Sequence, residues 1–193
     1  MSLLTVKQYI DTFTGGPHQL TTGESTFDRS AALIAGAAMA TQVAYFTFFT
    51  ARKTATVNNV ITFVATASSG TAPTLCRIGI YSVDPSGNFT SVVSTPNVTG
   101  MWGSTGAITQ GLNASWSKSA GSRYGVMCLC VTTGTPPSLM QANQSSDAMT
   151  ATILARLPRV CGHMTGQTDV PFPGPFADST LVNNNRPFYV EFT

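Results

Sequence analysis

The run from Tyr124 to Thr132 is apolar on both sides of an extended chain, with Val126, Cys128 and Cys130 on one and Met127, Leu129 and Val131 on the other. Successive side chains of a strand point to opposite faces, so this run predicts a central strand covered on both sides. Gly121-Ser122-Arg123 leads into it and Thr133-Gly134-Thr135-Pro136-Pro137 ends it. A second strand signal lies upstream, where Cys76, Ile78 and Ile80 alternate with Arg77, Gly79 and Tyr81. Asp84-Pro85-Ser86-Gly87 then has the composition of a type I turn, and Phe89 to Val93 follows at the distance of a hairpin partner.

Tyr45 to Thr50 is aromatic and β-rich, Thr56 to Val64 is β-branched, and Thr150 to Leu157 makes a further strand candidate. The chain closes with Phe188, Val190 and Phe192 alternating against Tyr189 and Glu191. The stretch around Met101, Trp102 and Trp116 is rich in Gly, Ser and Thr, and Val170 to Phe176 reads as a Pro-rich loop. For Ala31 to Ala40, a helix capped by Ser30 and a buried strand are both open. Strands at short intervals with turn chemistry between them predict an all-β fold, an antiparallel β-sandwich of jelly-roll type.

Composition narrows the functional classes. Only 9% of the 193 residues are charged and the formal net charge is +2. The basic residues are scattered from Lys7 to Arg186, so no block can neutralise a run of phosphates, and nucleic acid is not an expected partner. The apolar stretch from Ala31 is broken by Thr41 and Gln42, short of a membrane span and too far from Met1 for a signal-peptide core. A soluble, unprocessed protein without membrane insertion is expected. Residues 1–29 read as an arm and linker and 30–193 as the sandwich domain. The arm carries Leu3, Leu4, Tyr9 and Phe13, too few apolar side chains for a core and suited to attachment against a neighbour.

Sites for chemistry are sparse. His163 and Asp169 offer a base and its orienting group, but no Gly-x-Ser-x-Gly elbow marks a nucleophile, and no enzyme is expected. Cys128, Cys130, Cys161 and His163 offer four zinc ligands, yet one intervening residue in each pair is not the usual two to four, so no metal or other cofactor is expected. Asp147, Asp169 and Asp178 are acids that only folding can bring together for glycoside cleavage. The cysteines read as buried reduced thiols, with a Cys76–Cys161 bridge as the alternative. Trp102 and Trp116 are either core residues or platforms that stack on sugar rings. Asn88, Asn97, Asn113 and Asn143 each head an Asn-x-Ser/Thr sequon, which chance supplies in so Asn- and Ser-rich a chain.

One resemblance bears on function. Thr50-Ala51-Arg52, Leu75 to Tyr81 with the turn ending at Gly87, Ser94-Thr95-Pro96-Asn97, Ala120 to Tyr124 and Gly134 to Leu139 together resemble a β-sandwich domain of tailed-bacteriophage virion proteins, minor tail or head-decorating, especially of phages of actinobacteria. The resemblance covers roughly Ala31 to Leu139 and rests on turns and strand starts. It implies a non-enzymatic structural protein of the virion, assembled in the host cytoplasm. The expected partners are further copies of the chain, as a homotrimer, and other virion proteins met through the arm. The alternative is a carbohydrate-binding module that recognises a host-surface glycan.

Overall fold

The structure, a computed structural model, describes residues 23–27, 32–33, 38–142, 160–169, 175–183 and 187–193. In chain order the strands are β1 (Glu24–Ser25), β2 (Ala32–Leu33), β3 (Val43–Thr50), β4 (Ala55–Thr66), β5 (Leu75–Val83), β6 (Asn88–Ser94) and β7 (Gly106–Lys118). They continue with β8 (Arg123–Val131), β9 (Ser138–Leu139), β10 (Gln141–Ala142), β11 (Cys161–Met164), β12 (Phe176–Ala177), β13 (Val182–Asn183) and β14 (Val190–Phe192). All pair antiparallel. A seven-stranded sheet runs β12-β6-β5-β8-β3-β11-β13, a five-stranded sheet runs β1-β14-β4-β7 with β9 also on β4, and β2 pairs with β10 separately. The protein is an all-β, sandwich-like fold.

The doubly apolar run is the middle of the larger sheet. Strand β8 lies between β5 and β3, with Cys130 opposite Cys76 and Cys128 opposite Tyr45. One face, carrying Cys76, Ile78, Val126, Cys128 and Cys130, meets Val57, Val60, Val64, Val190 and Phe192 of the smaller sheet. The opposite face buries Phe46, Met127 and Leu129 in a second cluster, where Leu181 and the partly buried Phe176 pack. Burial on both sides explains a sequence without polar alternation. The hairpin expectation also holds: the Gly87 N–H donates to the Asp84 carbonyl at 2.9 Å, and Gly87 takes φ of +82°, open to glycine at little cost.

Several expectations change. Trp116, left without a strand assignment in its Gly-, Ser- and Thr-rich surroundings, lies in β7, a strand of 13 residues. Its inward residues Ile108, Leu112 and Trp116 recur every fourth position, and the intervening Gln110 and Ala114 hide the period of two. Its register against β4 also breaks between Val57 and Asn59, where a bulge interrupts the pattern. Phe176 opens β12 and packs 4.9 Å from the Phe89 ring rather than ending a loop. At Ala32–Leu33 the chain is extended and pairs with Gln141–Ala142, and Ala38 bridges to Ser138. The candidate strand at Thr150 to Leu157 lies outside the described residues.

Glu24 and Ser25, inside the stretch assigned to the arm, belong to the smaller sheet. They pair with Phe192 and Glu191 of the C-terminal strand. Thr26 extends the ladder, its N–H donating to the Val190 carbonyl at 2.9 Å and its hydroxyl to the Phe188 carbonyl at 2.9 Å. Glu24 is also one half of a buried ion pair with Lys118 at the end of β7. Lys118 Nζ donates in addition to the Lys53 carbonyl at 2.8 Å, and Glu24 Oε1 accepts from the Arg52 N–H at 2.6 Å. Burial of two such charges is tolerated because each is paired and further hydrogen-bonded.

Candidate functional site

Two turns at one end of the sandwich form an open groove of about 570 Å³. Its lining comes from Val83 to Gly87, between β5 and β6, and from Gly121 to Arg123, at the start of β8. These turns are brought together because Val83 is register partner to Arg123. Asp84 and Arg123 are the charged members. Both Asp84 oxygens are occupied, Oδ1 by the Asn88 N–H and Oδ2 by the Asn88 side-chain amide, each at 2.8 Å. These bonds hold the Asp84 carboxyl below its usual pKa. Arg123 places its guanidinium carbon 5.2 Å from the centre of the Phe48 ring. Partial burial lowers its pKa, and the charge of Asp178 opposes that shift.

The groove thus combines a cation fixed against an aromatic ring with a carboxylate held by its own turn. Its lining contributes the Asp84 carboxylate, the Arg123 guanidinium and the Ser86 and Ser122 hydroxyls, an arrangement that can hold a small polar group. The Asp-Pro-Ser-Gly turn made Asp84 visible in the sequence. The approach of Asp178 to Arg123 was not visible, because it depends on β12 pairing with β6.

The residues proposed for chemistry are not assembled. Strand β3 separates β8 from β11, so Tyr45 stands between its register partners Cys128 and His163. The four zinc candidates therefore occupy strands on either side of a third, and among the described residues no three His, Cys, Asp or Glu gather as a metal site. Asp169 forms an ion pair with Arg77 at 2.9 Å. Asp147 lies outside the described residues.

All four cysteines are buried thiols outside any disulfide. Cys76 faces Cys130 across adjacent strands with sulfurs 3.8 Å apart, so the considered bridge from Cys76 to Cys161 has no counterpart in the fold. Burial pushes the Cys128 thiol up to about 12. The Cys76 thiol is raised as well, by its hydrogen bond to Cys130 and by burial.

Trp102 and Trp116 are 0% and 3% exposed, and both belong to the core between the sheets. Trp102 Nε1 donates to Thr62 Oγ1 at 3.0 Å, and Trp116 meets Tyr124 edge to face at 4.8 Å. Of the two alternatives for these rings, core or sugar-stacking platform, the fold takes the first, and neither ring is open to a sugar. Leu3, Leu4, Tyr9 and Phe13 lie outside the described residues. Asn97 is used structurally, accepting from the Cys76 N–H at 3.0 Å and donating to the Thr74 carbonyl at 3.1 Å. No family model and no curated protein matches the chain.

Proposed function

We propose that this chain is a non-enzymatic structural protein of a tailed-bacteriophage particle, a minor tail or capsid decoration protein that self-associates and is attached through residues 1–22. The observation that carries the reading is the role of the residues behind the resemblance. Leu75 to Tyr81 opens the strand beside the central β8, Asp84 to Gly87 is its turn, and Ala120 to Arg123 delivers the chain into β8. They are strand starts and turns of a sandwich, as in the virion domain they resemble. The glycan-binding alternative has less support, since the two rings on which it rested are buried. Labelling the protein in purified particles tests the reading. Label on the head or on the tail supports it, and particles without label overturn it.

A further inference from the structure

From Pro85 to Ser117 the sequence contains no Asp, Glu, Lys, Arg or His. The fold collects this stretch on one side of the molecule. It forms the β5–β6 turn, β6, the connection that follows and nearly all of β7, and β6 and β7 meet where Asn113 Nδ2 donates to Ser94 Oγ at 3.3 Å. Val92, at 43% exposed, is one of three large apolar side chains left open among the described residues. Ala107 and Thr109 are also exposed, beside the partly buried Ile108 and Leu112.

Strand β7 ends its sheet. From Gly106 to Gly111 it keeps regular register with Val64 to Asn59 of β4, which satisfies one of its two backbone edges. Among the described residues, no other strand pairs with this segment. Open edges of this length are ordinarily blocked by Lys, by Pro or by an inward charge. Between Gly106 and Ser117 β7 carries none of these, and its bulge lies beyond the regular six-residue stretch.

We propose that the β7 edge is where a second copy of this chain docks, adding its own β7 antiparallel across a two-fold axis so that two smaller sheets become one. Charge selects this occupant. An antiparallel strand meeting its own copy sets each residue opposite one from the same strand, so any charge near the axis would oppose its like. This side has no charge to oppose. A partner bringing charges would find no counter-charge between Pro85 and Ser117, whereas a second copy brings an equally neutral surface. The two-fold gives a dimer where the sequence reading expects a trimer. The inference rests on the self-association in the proposed function and not on attachment to a particle.

The test uses the purified full-length chain without particles, with mass from light scattering over a dilution series. Wild type is expected at twice the chain mass, dissociating on dilution. Thr109→Lys, which sets a charge on the edge, is expected at one chain mass with an unchanged circular dichroism spectrum. Ala107→Lys repeats the test at a second exposed position should Thr109→Lys fold poorly. Val182→Lys, on the exposed edge strand of the other sheet, is expected to remain dimeric. In wild type, amide exchange at residues 106–111 is expected to slow as concentration rises. A monomer at every concentration overturns the proposal, as does a dimer or trimer that persists in both lysine variants. A particle protein that is monomeric in solution would remove this inference and leave the proposed function standing.

Discussion

The buried Trp102 indole N–H donates to the Thr62 hydroxyl of β4. Trp102→Phe removes the donor and a ring while leaving Thr62 buried, and it is expected to lower unfolding free energy by about 2–4 kcal/mol in denaturant titrations. A loss under about 0.5 kcal/mol would show that the bond contributes little. Cys128 makes a separate prediction through pH. Its thiol is raised by burial from 9.0 to about 12 in the folded chain, so the folded state keeps the proton where the unfolded state gives it up. A raised folded pKa contributes stability that is complete below the unfolded value and lost as pH climbs from about 9 to about 12. Chemical unfolding is therefore expected to show an alkaline decline that Cys128→Ala makes shallower while lowering stability at neutral pH by a cavity term. The four buried thiols should resist a disulfide reagent in the native protein and all react once it is unfolded; rapid native labelling would count against their placement.

Among the elements, the β5–β6 hairpin and strand β7 differ most in how plainly the sequence announces them. The hairpin is local: Asp84, Pro85 and Gly87 each match a turn position, and Asp84 accepts both bonds from Asn88. Because those bonds favour the carboxylate, the Asp84 pKa is depressed, and the turn's contribution is present above the unfolded carboxyl range and lost as pH falls through the folded pKa. Following Asp84 by NMR as pH is lowered should place its midpoint below the ordinary value of about 3.9. Asn88→Ala is expected to return it upward, and an unmoved midpoint would assign the shift elsewhere. Strand β7 has no such local grammar. Its strand character comes from pairing with β4 across a bulge, and Gly111, Asn113 and Ser115 hide it until β4 is in place.

For the whole molecule, the decisive contact ties the two ends of the chain together. Strand β1 pairs with the C-terminal β14, and Glu24 carries its charge into the interior to meet Lys118, which is 1% exposed against 5% for Glu24. Deletion of residues 1–22 is expected to leave stability nearly unchanged while abolishing loading onto particles. Deletion of residues 1–29 removes Glu24 and strands the Lys118 ammonium, at an expected cost of about 3–5 kcal/mol. Comparing the thermal and denaturant midpoints of the two truncations checks this. Equal stability would mean that water reaches Lys118 when Glu24 is gone, and full particle occupancy by the shorter truncation would move attachment to the domain itself. By itself, the amino-acid order determined the all-β class, the doubly covered central strand, the first hairpin and the burial of the cysteines. Each of these is written in near neighbours, through alternation, turn residues and hydrophobicity. Only the tertiary structure decided that Glu24 belongs to the domain, that β3 separates Cys128 from His163, that both tryptophans are sealed between the sheets and that Asp178 approaches Arg123. Those outcomes depend on which strands become neighbours, and neighbours in an antiparallel sheet can be far apart in the chain, so no local pattern records them.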